Sequence, residues 1–138
     1  MQIALTKKYL MSKPEEKIAS ILFQAHIKFE REKTFSDLKR GLFRFDFYIP
    51  SLNIIIEYDG EQHMKQIKRF HKTRQEFLHA QESDRRKNSY CLAKNIKLYR
   101  IPYFKLNQIN SFQDIIKDEF LVKDKWHNDV IRRKLFES

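Results

Sequence analysis

Two short runs hold most of the residues able to do chemistry: Arg44-Phe45-Asp46-Phe47-Tyr48-Ile49-Pro50, and Ile54-Ile55-Ile56-Glu57-Tyr58-Asp59-Gly60-Glu61-Gln62-His63. Both set acids beside apolar stretches. Carboxylates in such surroundings lose solvation and repel one another, a cost that a proton or a cation relieves. A hard divalent ion suits the task, because Mg²⁺ takes one or two carboxylate oxygens plus water and leaves positions for phosphate. The chain as a whole favours a polyanion: 28 Lys and Arg against 18 Asp and Glu leave a formal charge of +10. Such an excess binds phosphate polymers by releasing condensed counterions, and anionic lipid surfaces attract it too. Nucleic acid is the leading expected partner. Between Met64 and Arg74, Lys65, Lys68, Arg69, Lys72 and Arg74 occur with no acid among them, a candidate phosphate-contacting segment.

The elements that must position these residues are legible in the hydrophobic pattern. Ser12 and Glu15 have capping-box spacing, Pro14 suits a first helical turn, and Ile18, Ile21, Leu22 and Ala25 form one stripe, so a helix runs to about His26. Alternation over Phe29–Phe35 predicts a strand. Phe43, Phe45, Phe47 and Ile49 alternate with Arg44, Asp46 and Tyr48, predicting a half-buried strand with the phenylalanines on one face. Turn residues Pro50–Asn53 then lead into β-branched Ile54–Tyr58, which breaks at Asp59-Gly60. The two strands pair as a hairpin that sets Glu57 level with Asp46. A long helix is expected from about Lys72 to Ala93, a strand over Lys97–Ile101, and helices over Ser111–Phe120 and Asp124–Phe136. Strand, helix, strand makes a crossover unit.

Length and composition remove other classes. The chain has 138 residues, 41% hydrophobic and 14% aromatic, enough for one domain with a core and too apolar for a disordered basic tail. Cys91 is the single cysteine, so neither an intrachain disulfide nor a thiolate zinc cluster forms, and a reducing compartment is expected. No stretch approaches the roughly 20 apolar residues of a membrane span, and the first residues lack a signal-peptide pattern, so the expected location is the cytoplasm, with no membrane partner.

Taken in order, Glu15, Asp46, Glu57, His63 and Asp84 resemble the site pattern of the PD-(D/E)XK nuclease superfamily, nearest its very-short-patch-repair-like and related homing endonucleases. The resemblance covers about residues 12–104 and several ordered elements. It implies an α/β fold of restriction-endonuclease type, a central mixed β-sheet flanked by α-helices. It also implies one nuclease domain over residues 1–138, with helices at about 111–136 following the core. The implied activity is Mg²⁺-dependent hydrolysis of DNA, with Mn²⁺ as a substitute, double-stranded DNA as substrate and a homodimer as one arrangement. Asp46 and Glu57 match the metal-binding acids. The superfamily's usual Lys two residues later is replaced by Asp59, so the resemblance passes the base role to His63, with Asp84 orienting the imidazole. Glu15 is placed at an outer-sphere water, in preference to Glu16, because it shares the helix face of Ile18 and Leu22. Gln62, in a Gly-Glu-Gln-His run, is placed at the scissile phosphate. Lys87, one turn beyond Asp84, is within reach of the site.

Ordinary roles compete for several of these residues. Glu15 is also the capping partner of Ser12, and Asp59 before Gly60 has the pattern of a turn. Asp46 and Glu57 can serve as structural ion-pair partners, Asp84 can pair with Lys87 on a solvated face, and the run from Lys65 to Arg74 can be plain surface. His26, His71, His79 and His127 lack an acid-rich strand beside them and are assigned no chemistry. Cys91 reads as a small buried hydrophobe. A binding module on a nuclease scaffold without catalysis is the alternative to the enzyme.

Overall fold

The structure is a computed structural model and describes residues 11–64 and 74–137. Ser12 caps helix α1 (Lys13–Gln24) in the expected capping box with Glu15, and Ile18, Ala19, Ile21 and Leu22 form its buried face. Strand β1 (Glu30–Lys33) pairs antiparallel with β2 (Phe45–Ile49), which pairs antiparallel with β3 (Ile54–Asp59). Helices α2 (Glu61–Met64) and α3 (Arg74–Ala93) follow, and β4 (Lys97–Pro102) returns parallel to β3. The sheet order is β1-β2-β3-β4. A 3₁₀ turn (Lys39–Gly41) lies between β1 and β2, and a 3₁₀ segment (Tyr103–Gln108), helix α4 (Phe112–Ile115), a further 3₁₀ turn (Asp118–Phe120) and helix α5 (His127–Glu137) complete the described chain. The fold is mixed α/β, a four-stranded mixed sheet flanked by helices. Among the described residues no helix is long and apolar enough to cross a membrane.

Several boundaries differ from the sequence expectation. The helix expected over Ser111–Phe120 is two short pieces, and α5 begins at His127 because the Asp124 carboxylate accepts from the Trp126 N–H at 2.8 Å, closing a turn where the helix was expected to start. The strand expected over Phe29–Phe35 is only β1, and within it Glu32 takes a left-handed φ of +54°. This irregularity accompanies a larger correction. Phe47 and Ile49 pack with Ile18, Leu22 and Ile56 on the α1 side, but Phe45 packs with Ile55, Cys91 and Leu98 on the α3 side. Phe45 therefore does not share a face with Phe47. The side-chain alternation slips at Asp46 although the pairing with β1 keeps its register on either side, Arg31↔Phe47 and Lys33↔Phe45.

The α3 side of the sheet is held partly by charge. The Arg100 guanidinium donates to Asp59 at 2.7 Å and to Asn88 at 2.8 Å; Asn88 donates to Asn128 at 3.1 Å, and Asn128 donates back to Asp59 at 2.9 Å. This closed ring ties β3, β4, α3 and α5, and all four side chains are buried. Asp59 is thus neither the turn residue nor the ligand weighed from sequence; it is the counter-ion of Arg100. Cys91 is buried with its thiol pushed up to about 12 by loss of solvation, as expected of a packing residue. Removing one partner of a buried pair strands the other, at a cost of about 3–5 kcal/mol. Arg100→Met is expected to lower stability by that amount, read as a reduced urea midpoint by circular dichroism. A change below about 1 kcal/mol would contradict the role given to the ring.

Candidate active site

The β2–β3 ladder is regular from Ile49↔Ile54 to Phe47↔Ile56, and then its hydrogen bonding changes hands. The Asp46 N–H donates to Glu57 Oε1 at 2.8 Å, and the Tyr58 N–H donates to Asp46 Oδ2 at 2.8 Å. Each carboxylate takes a backbone donor from the opposite strand, so the two acids are fixed at the mouth of the hairpin. Glu57 is buried and turned toward α3, where Lys87 Nζ lies 3.4 Å from Oε2 and 5.0 Å above the Phe45 ring. Asp46 is half-buried beside a cavity of about 380 Å³ that Ser12, Glu15, Tyr58 and Glu61 help to line. Glu15, Glu32 and Asp46 each bring a carboxylate oxygen within 4.8 Å of the other two.

This crowding is costly to Asp46. Burial first, and the charge of Glu57 next, hold its carboxyl well above the usual carboxylate range, against the pull of the Tyr58 N–H and Lys87; Glu15 adds a further push upward. Relief for its neighbours comes from Arg31, whose guanidinium sits 2.8 Å from Glu15 and 3.3 Å from Glu32 and lies 5.1 Å over the Phe47 ring. Mg²⁺–oxygen distances of about 2.0–2.1 Å put opposite ligands of an octahedron roughly 4.2 Å apart, so small side-chain rotations bring this donor set onto such an ion. The residues fit a hard cation that keeps some of its water.

The structure brings Glu15, Asp46, Glu57 and Lys87 to one end of the sheet. Glu15 caps α1, as its spacing from Ser12 indicated, and also brings a carboxylate oxygen within 4.8 Å of one on Asp46, while Glu16 is exposed. Gln62 and His63 lie on α2, directly after β3, and their side chains fall outside the described atoms, as do Lys65, Lys68, Arg69 and Lys72 altogether. Arg74 is the first described residue of α3 and is exposed. Asp84 is not on a solvated face with Lys87. It is buried, ion-paired with Arg132 of α5 and 3.7 Å from Arg100. Two contributors were missed from sequence, Glu32 and Arg31. A left-handed Glu leaves no mark in an alternating pattern, so nothing in the sequence separated Glu32 from Glu30, the other acid of β1.

No protein-family model and no solved structure matches the chain. A curated protein, Uncharacterized protein 307L of Invertebrate iridescent virus 6, is 39% identical over 67 residues, 47% of this chain and 34% of that protein. The match therefore spans about a third of the relative's length.

A carboxyl raised in the folded state holds its proton there at a pH where the unfolded chain has lost it. Its contribution to stability is present below the ordinary carboxylate value and disappears as pH rises through the raised one. In EDTA at neutral pH, Asp46→Asn keeps the acceptor for Tyr58 and removes the charge. Its melting temperature is expected to rise by roughly 2–5 °C, and the gain is expected to vanish in acid. A lower melting temperature at neutral pH would contradict this reading of Asp46.

Proposed function

We propose that the chain is a metal-dependent endonuclease of restriction-endonuclease-like fold that hydrolyses DNA phosphodiester bonds. The observation that carries the reading is the half-buried Asp46 carboxyl, its protonation shifted upward by burial and Glu57, beside a cavity that Glu15 also lines, with a Glu32 carboxylate oxygen within 4.8 Å of it. A chain of net charge +10 that gathers acids at one end of its sheet has the polarity of a site for a cation shared with phosphate. A mixed sheet flanked by helices is compatible with the architecture that the resemblance to the PD-(D/E)XK superfamily implies. In this proposal Asp46 and Glu57 would hold Mg²⁺ or Mn²⁺, with Glu15 and Glu32 as the acids beside them. The ion supplies positive charge against the oxygens of the reacting phosphate. An imidazole nitrogen of His63 takes the proton of the attacking water, with Asp84 on the neighbouring α3 as its orienting carboxylate. Lys87, fixed by Glu57 and the Phe45 ring, sets a cation against the phosphate, and Gln62 with the basic residues from Lys65 to Arg74 holds the flanking backbone.

One observation favours the non-catalytic alternative. Arg31 already bridges Glu15 and Glu32, the place a metal-free binding module would fill with its own cation. Supercoiled DNA separates the two. The enzyme reading expects nicked or linear product with Mg²⁺ or Mn²⁺, none in EDTA, and a loss of roughly 10²–10⁴-fold in Asp46→Ala and in His63→Ala with the circular dichroism unchanged. Salt-sensitive binding without cleavage in either metal would give the chain to the binding module instead.

A further inference from the structure

Away from the acidic cavity, the turn that precedes α5 meets the outer face of α3 in an open groove of about 550 Å³. At its edge stands Trp126, the chain's single tryptophan, 48% exposed. Two cations flank the indole. The Arg85 guanidinium lies 5.1 Å over the ring and is fixed there by two hydrogen bonds of 2.9 Å to Asp129, while Lys125 Nζ lies 4.7 Å from the ring centre. Farther along, the groove is lined by Arg86, Ser89 and Tyr90. Glu82 is its acid and holds Arg86 at 3.4 Å, but both side chains are about half exposed. Such a pair is worth little and exchanges readily onto a stronger anion.

A half-exposed indole among mostly positive side chains gains most from an occupant that offers a flat π-surface and a negative charge together. An acidic peptide supplies charge without an obligatory ring, and a bilayer surface does not enter a groove. A nucleotide supplies both, and its base can stack only when it is not already paired. We propose that the Trp126 groove binds an unpaired nucleotide of a DNA strand, with its base on the indole and its phosphates against Lys125 and Arg86. The proposal rests on the nucleic-acid reading above but not on cleavage. It extends the substrate from plain duplex to DNA with a frayed, bulged or single-stranded position.

The single tryptophan makes the test direct. The full chain in EDTA, where DNA stays intact, is titrated with a short single-stranded DNA and with its duplex, following Trp126 emission and the anisotropy of a dye on the DNA. Single-stranded DNA is expected to quench the emission in step with binding. Trp126→Ala is expected to weaken single-strand binding roughly tenfold and leave duplex binding unchanged, and Trp126→Phe is expected to recover most of the loss. Lys125→Glu, on an exposed side chain, gives a second variant for the same loss, with folding checked by circular dichroism. Binding by anisotropy with silent emission and no effect of either variant would overturn this proposal and leave the nucleic-acid reading standing. No binding of either DNA would overturn both. A blue shift with phosphatidylserine vesicles but no response to DNA would assign the face to membranes and overturn the nucleotide.

Discussion

Two carboxylates that cannot both be comfortable tie the mouth of the hairpin together. Asp46 and Glu57 face each other across β2 and β3 where the ladder stops, and each accepts a backbone N–H from the other's strand. Those bonds satisfy amides that a regular ladder would have paired, so the acids are structural as well as electrostatic. The arrangement fixes the carboxylates by backbone geometry and leaves their charges poorly compensated. Lys87 answers Glu57, Arg31 answers Glu15 and Glu32, and Asp46 is left raised between them.

The rest of the molecule keeps that end of the sheet rigid. Asp59 lies two residues beyond Glu57, and its place in the ring with Arg100, Asn88 and Asn128 pins the end of β3 to α3 and α5. Lys87 immediately precedes Asn88 on α3, so the ring that anchors the helix also sets the height at which its ammonium meets Glu57. Asp84 and Arg132 add a second tie between α3 and α5, with Asp129 reaching back to Arg85. Buried ion pairs are weak sources of stability compared with apolar packing. Here they fasten elements in one relative position, which a site built on three of them requires.

Much of this was legible in the sequence, for reasons that differ residue by residue. The Ser12–Glu15 box, the Ile18–Leu22 stripe and the hairpin turn at Pro50–Asn53 are local signals, and the structure bears them out. The meeting of Asp46 and Glu57 followed from strand pairing, whereas Glu15 and Lys87 were placed beside them by the resemblance, with helix phase choosing Glu15 over Glu16. The polar inner face of α3 is another matter. Asp84 and Asn88 point inward like core residues, so the hydrophobic pattern of that helix carries no clear stripe, and their partners lie more than ten residues away at Arg100, Asn128 and Arg132. Glu32 and the slip at Asp46 were hidden because a left-handed backbone in a non-glycine residue is imposed by tertiary packing.

The central claim is that Asp46 carries a charge the metal-free fold disfavours and that a divalent cation relieves. Carboxyl ¹³C chemical shifts of Asp46, followed by NMR through a pH titration with and without Mg²⁺, measure this directly. The account expects an elevated midpoint without the ion that falls when Mg²⁺ is added. An ordinary carboxylate midpoint, unmoved by Mg²⁺, would contradict it.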